Sequence, residues 1–170
     1  MNLKNKIREV SDWPKKGVGF KDITPLLEDP KALQFAIDKL ATPYKNEKID
    51  KVVGIDARGF LLASAVAYKL KAGLSIVRKK GKLPHKTISK KYALEYACNE
   101  LEMHKDTINP GERVIVIDDV LATGGTMETT CQMIEKLGGN IVGISFLIDL
   151  TFLNGKEKLK KYNLNSLVEY

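Results

Sequence analysis

The sequence predicts an α/β domain, a parallel sheet flanked by helices, and three observations carry that reading. Short apolar runs stand near positions 52, 74, 114 and 141, and amphipathic stretches separate most of them. Twice, at Asp56–Gly59 and at Asp118–Gly125, such a run hands over through glycine to the start of a helix. Strands alternating with helices read as successive βαβ units, and brief uninterrupted apolar runs are strands covered on both faces. At 170 residues, 44% of them hydrophobic and 29% charged, the chain has room for one core and not for two. A single domain over residues 1–170 is expected.

Each element has its own signal. Leu3, Ile7 and Val10 recur at helical spacing, which predicts a short amphipathic helix ending before Trp13-Pro14. Gly17-Val18-Gly19-Phe20-Lys21-Asp22 reads either as a turn feeding a strand or as a flat apolar slot with exposed backbone groups, suited to a planar base. Asp29-Pro30 is a helix start, Asp as N-cap and Pro at the first helical position, with Leu33, Phe35, Ala36, Ile37 and Leu40 as the buried stripe. Val52–Ile55 is a strand, Asp56-Ala57-Arg58-Gly59 the interruption, and Phe60–Leu70 the helix that follows. Arg58 is either a surface turn residue or a planar fork of donors for a diphosphate.

Leu74–Val77 is the next strand, running into the basic cluster Arg78-Lys79-Lys80-Gly81-Lys82. Residues 82–96 are polar and weakly periodic and read as a long mobile loop or ribbon, the usual form of a lid; within it Tyr92–Ala97 alternates like a strand. His85 and His104 have no partners at metal-ligand spacing and read as surface residues. Asn109-Pro110-Gly111 turns the chain into the strand from Val114, Thr126–Leu137 forms a helix closed by Gly138-Gly139, and Ile141–Leu147 is another core strand. A short basic helix near 155–161 and a small strand near Leu167-Val168 complete the chain.

The chemistry belongs to residues 114–126. Val114–Ile117 leads into Asp118 and Asp119, and Val120-Leu121-Ala122-Thr123-Gly124-Gly125-Thr126 then opens a helix. A strand's carboxyl end feeding a helix N-terminus gathers free N–H groups and the positive end of the helix dipole, while glycines let the backbone close on a phosphate. Neither the dinucleotide-binding G-x-G-x-x-G turn nor the Gly-Lys-Ser/Thr ending of a P-loop is present. Two carboxylates would repel a bare phosphate, but facing a ribose they accept hydrogen bonds from its 2- and 3-hydroxyls. The stretch therefore reads as a site for a ribose 5-phosphate.

Composition limits the partners. The net charge of +7 suits nucleic acid, an anionic membrane or a polyphosphate substrate. The longest apolar run, Phe60–Tyr68, is far short of the roughly 20 residues of a membrane span. Residues 1–10 lack the apolar core of a signal peptide. Cys98 and Cys131 have no paired spacing and read as reduced, packed thiols, which makes the cytoplasm the expected location.

The 114–126 stretch resembles the phosphoribosyl pyrophosphate signature of the type I phosphoribosyltransferases. Four further segments, Gly17–Ile23, Asp56–Phe60, Arg78–Pro84 and Leu94–Tyr96, resemble the adenine-using branch in the same order along the whole chain. The resemblance implies a type I phosphoribosyltransferase-like fold with an N-terminal base-binding hood at about 1–35 and a flexible lid loop at about 82–96. It implies that Asp118 and Asp119 bind the ribose hydroxyls and that Ala122, Thr123, Gly124, Gly125 and Thr126 wrap the 5-phosphate. Arg58, Lys79 and Lys82 would neutralise pyrophosphate together with Mg2+ held mainly by the substrate, no metal ligand being assigned to the protein. Phe20 with Val120 or Leu121 would sandwich adenine, and backbone groups around Gly19 and Lys21 would read its edge. Glu95 matches the catalytic glutamate beside the purine imidazole ring. The implied reaction joins adenine to phosphoribosyl pyrophosphate, giving AMP and pyrophosphate, in a homodimer with no nucleic-acid or membrane partner.

The chain departs from the family pattern at Gly19, where a branched apolar residue is common, at Lys21, where arginine is common, and at His85-Lys86. Two other readings stay open: a phosphoribosyltransferase for 6-oxopurines or xanthine, and a regulator that senses phosphoribosyl pyrophosphate and contacts nucleic acid. No helix-turn-helix segment supports the second.

Overall fold

The computed structural model describes residues 1–94 and 97–170, with the side chains of 93, 94, 97 and 98 left aside. The N-terminal part holds strands β1 (Arg8–Val10) and β2 (Phe20–Asp22) and helices α1 (Thr24–Glu28) and α2 (Pro30–Ala41). The βα series follows with β3 (Lys51–Ile55), α3 (Arg58–Leu70) and β4 (Gly73–Lys79). Strands β5 (Thr87–Leu94) and β6 (Ala97–His104) come next, then β7 (Arg113–Leu121), α4 (Gly125–Lys136), β8 (Asn140–Asp149) and β9 (Leu164–Glu169).

Seven strands form one sheet in the order β5-β6-β4-β3-β7-β8-β9, and β1 pairs with β2 apart from it. Pairing is parallel from β4 through β9, while β6 runs antiparallel to β4 and β5 antiparallel to β6. The expected parallel sheet is present and carries an antiparallel ribbon on one edge. Side chains alternate across the sheet with a period of two. Ile115 and Ile117 join Leu40, Leu62 and Val66 in one apolar cluster, while Val114 and Val116 join Met127, Ile134 and Phe146 in the other. Helices α2 and α3 thus cover one face and α4 the opposite one, which leaves β7 buried on both faces between β3 and β8.

Four segments correct or sharpen the expectation. Residues 3–10 do not form a helix: Leu3–Lys6 is a single 3₁₀ turn and Arg8–Val10 pairs with Phe20–Asp22. Leu3 and Ile7 are buried as their spacing predicts, but one turn satisfies that spacing, and so short a helix cannot repay its nucleation cost. Of the two forms open to the 82–96 segment, loop or ribbon, Thr87–Leu94 takes the ribbon, because β6 supplies a partner strand that the sequence reading missed. Asp118 and Asp119 lie within β7 rather than after it, since β8 extends the ladder through Phe146, Ile148 and Asp149. The short basic helix near 155–161 is a 3₁₀ helix over Gly155–Leu159.

Candidate functional site

The site forms where β3 and β7, neighbours in the sheet, reach their carboxyl ends. At the end of β7 the chain turns through Gly124, whose φ of +80° is left-handed, and α4 begins. The first-turn amides of α4 have no carbonyls within the helix to bond and face outward. They close a small pocket of about 90 Å³ lined by Asp118, Leu121, Ala122, Thr123, Gly124 and Thr126 among others. The predicted phosphate-binding residues are therefore together and concave toward solvent.

This loop is braced from behind. Gly155 packs so closely that a Cβ on it would stand 2.2 Å from the Ala122 carbonyl oxygen. The next residue, Lys156, puts its ammonium 2.6 Å from the buried Asp149 carboxylate at the end of β8, and that carboxylate holds the lysine charged above its ordinary range. Lys158, from the same turn, brings its Nζ to 3.8 Å from where a side chain on Gly125 would begin. It adds a cation at the mouth of the cradle that no motif pointed out.

The two acids are held differently. Asp118 Oδ1 accepts a hydrogen bond from the Asp119 amide at 2.9 Å, and Asp119 Oδ2 lies 2.7 Å from Arg58 Nε. Burial raises the pKa of both carboxyls; at Asp118 the neighbouring Asp119 charge adds to the rise, whereas at Asp119 the Arg58 guanidinium opposes it. The helix start that carries Arg58 approaches very closely, since a Cβ on Gly59 would lie 2.6 Å from Asp118 Oδ1. Only glycine fits there without moving the acid.

Arg58 joins the acids to the N-terminal part. Its Nη1 donates to the Lys21 carbonyl at 3.0 Å, and its guanidinium lies 4.6 Å from the Phe20 ring centroid. Trp13 packs edge-on against Phe20, the ring centroids 4.4 Å apart. The Lys21 side chain turns away to Glu9, 2.9 Å distant, and lies over the Tyr170 ring. Gly19 is exposed, with open space where a side chain would begin. Leu121 is buried and packs on Gly155, so of the two apolar residues after the acids it is Val120 that keeps exposed surface beside the site.

The basic cluster sorts itself. Arg78 Nε pairs with Asp56 at 3.1 Å and Lys80 with Glu100 at 2.9 Å. Among the described ion pairs Lys79 and Lys82 have no carboxylate, and both are exposed at the end of β4 and just after it. Buried Glu102 fixes this turn, Oε1 accepting from the amides of Lys82 and Leu83 at 2.8 and 2.9 Å. From the ribbon, Tyr92 reaches the cradle and its hydroxyl accepts a hydrogen bond from Thr126 Oγ1 at 3.1 Å. Glu95, the expected catalytic residue, lies outside the described residues.

Paired carboxylates and an amide cradle at the end of a central parallel strand, faced by an arginine-backed aromatic, make this a protein that handles a phosphorylated sugar beside a planar group. Residues 26–167 match the phosphoribosyl transferase domain, and the chain belongs to that family. Over all 170 residues it is 54% identical to an adenine phosphoribosyltransferase of Clostridium botulinum, covering 99% of that protein. It superposes with a TM-score of 0.95 and 47% identity on the crystal structure of adenine phosphoribosyltransferase from Rhodothermus marinus, covering 99% of this chain and 96% of that one. The Saccharomyces cerevisiae enzyme, crystallised with an imino-altritol bisphosphate and adenine, matches with a TM-score of 0.89 and 33% identity, covering 98% of this chain and 95% of that one.

Proposed function

We propose that the chain transfers the 5-phosphoribosyl group of phosphoribosyl pyrophosphate to N9 of adenine, giving AMP and pyrophosphate. The observation that carries the reading is the single constellation of Asp118 and Asp119, the Ala122–Thr126 cradle and the Arg58-backed Phe20 ring, in a chain that resembles adenine phosphoribosyltransferases from end to end. The C1–O bond to pyrophosphate breaks, the C1–N9 bond forms, and the purine loses a proton. The ribose in between passes through an oxocarbenium-like state, so fixed groups must meet the leaving group's growing negative charge.

The roles rest on the family resemblance, and the placement of the described residues supports them. The α4 amides with Thr123 and Thr126 bind the 5-phosphate, and Lys158 adds charge beside them. Asp118 and Asp119 accept from the ribose hydroxyls. Lys79 and Lys82, free of carboxylate partners among the described residues, face pyrophosphate, and Arg58 holds Asp119 in place while contributing positive charge. Phe20 and Val120 enclose the adenine, with Gly19 and Lys21 offering backbone groups to its edge. Glu95 polarises the purine as general base or hydrogen-bond partner.

Mg2+ fits this donor set. Hard cations of its size keep few protein ligands and bind through substrate phosphates, and the two carboxylates here are already engaged by Arg58 and a backbone amide. When bound with the substrate the ion would supply charge neutralisation at the pyrophosphate. Residues 1–35 serve as the base-binding hood and 82–96 as the lid that keeps water from the activated sugar.

The protein works in this reading as a cytoplasmic homodimer. Exposed Leu61 and Tyr68, two turns apart on the outer face of α3, support self-association. Buried Cys131, its thiol pushed up to about 12 by burial, is a packing residue that suits a reducing compartment. Among the described residues no helix is long and apolar enough to cross a membrane. Incubation with phosphoribosyl pyrophosphate, Mg2+ and a panel of bases tests the activity. AMP formation from adenine is expected, and consumption of hypoxanthine or guanine with adenine untouched would overturn the base assignment.

A further inference from the structure

Tyr92 has no part in the reaction as assigned, yet it touches the cradle at two points. Its ring lies 3.4 Å from where a side chain on Gly125 would begin, and its hydroxyl receives the Thr126 hydroxyl at 3.1 Å. From the far side Asn99, its cross-strand partner on β6, points Nδ2 at the same phenol oxygen at 3.4 Å.

A threonine hydroxyl has one proton to donate. In the structure Thr126 gives it to Tyr92. A phosphate dianion in the cradle offers only acceptors and claims that proton, because a charge-assisted hydrogen bond is the stronger one. The phenol then becomes the donor. Its oxygen still accepts from Asn99, and its own proton turns to the Thr126 oxygen. The result is a chain running in one direction, Asn99 to Tyr92 to Thr126 to phosphate, in which each bond polarises the next.

We propose that Tyr92 is a positioning residue through which the 5-phosphate, acting on Thr126, tightens the hold of the β5–β6 ribbon on the site. The inference rests on reading Ala122–Thr126 as the 5-phosphate cradle. Glu95 follows Tyr92 by three residues in the sequence. A nucleoside without phosphate fills the base and ribose sites but leaves the chain of hydroxyls unanchored.

Hydrogen exchange on the full-length protein tests this with AMP and adenosine as probes, comparing wild type with Tyr92→Phe, which keeps the ring and removes only the hydroxyl. In wild type, AMP is expected to slow exchange at residues 122–127 and also at 87–92 and 99–104, whereas saturating adenosine leaves the ribbon unprotected. In Tyr92→Phe, AMP should still protect 122–127 but no longer the ribbon, and kcat should fall roughly tenfold while KM for phosphoribosyl pyrophosphate moves much less. Equal ribbon protection by AMP in both proteins, or by AMP and adenosine in wild type, overturns the proposal. Absence of AMP protection at 122–127 in wild type would instead overturn the cradle reading, and this inference with it.

Discussion

The two handovers from strand to helix, β3 to α3 and β7 to α4, stand side by side in the sheet and carry opposite charge. The first is tight and delivers a cation, Arg58, at the very start of its helix. The second is longer, delivers two anions before the loop, and leaves its helix N-terminus open. They are joined where Arg58 meets Asp119 and where Gly59 lets α3 approach Asp118. A helix N-terminus alone would accept any anion. In the proposed reading the paired acids, kept in place by the neighbouring unit, restrict what can enter to a phosphate with a hydroxyl-bearing sugar attached.

The largest effect should come from removing the anions. Asp118→Asn with Asp119→Asn is expected to lower kcat/KM for phosphoribosyl pyrophosphate roughly 10²–10⁴-fold, since charge-assisted hydrogen bonds of about 1.5–3 kcal/mol each are lost. Steady-state kinetics at varied phosphoribosyl pyrophosphate would read it, and retention of full activity would separate the acids from the ribose altogether. Breaking the link from the other side is a smaller insult. Arg58→Gln should raise KM for phosphoribosyl pyrophosphate about tenfold and move the acidic limb of its pH profile upward, because Asp119 loses the guanidinium charge that opposes burial.

Closing the gap between the units sharpens the comparison further. Gly59→Ala adds a methyl 2.6 Å from Asp118 Oδ1, with the Ile117 carbonyl 3.3 Å away, so the carboxylate or the helix must shift. A loss of about 1–3 kcal/mol in unfolding free energy is expected from such overpacking, with a several-fold rise in KM for phosphoribosyl pyrophosphate. Denaturant melts and kinetics on the same preparation would show whether the two losses travel together.

The smallest effect is on stability and has the opposite sign. Asp118 has its pKa raised in the folded protein, so the native state holds that proton more tightly than the unfolded chain does. Stability therefore falls as pH rises from the ordinary carboxyl value of 3.8 through the raised one. Asp118→Asn removes the cost. Its melting temperature should exceed that of wild type at pH 8, with the difference closing as the pH approaches 4; a constant difference across that range would show that the carboxylates do not strain the fold.

How far each part was readable in the chain depends on how local its cause is. The 114–126 stretch was legible because strand, acids, loop and helix start are covalent neighbours, and its hydrophobic pattern is not diluted by polar contacts. The N-terminal ten residues were not, because Val10 takes its conformation from Phe20 rather than from Leu3 and Ile7. Strand β6 was missed because its alternation is confined to Glu100–His104, and the burial of Glu102 against the amides of Lys82 and Leu83 is a partnership no periodicity records. Within the basic cluster, choosing Lys79 and Lys82 came from family resemblance; the structure supplies a physical ground, since Arg78 and Lys80 are occupied by Asp56 and Glu100.

By itself the sequence determined the layered sheet, its central strand, and an anion cradle with two acids, because these rest on periodicity, capping and backbone freedom over a dozen residues. Only the tertiary structure decided which charges remain available, that Arg58 bridges the acids to Phe20, and that Tyr92 and Lys158 stand at the cradle. Those depend on side chains meeting across about 20 to 60 positions of chain, where packing and electrostatic pairing choose among partners that look alike in the sequence.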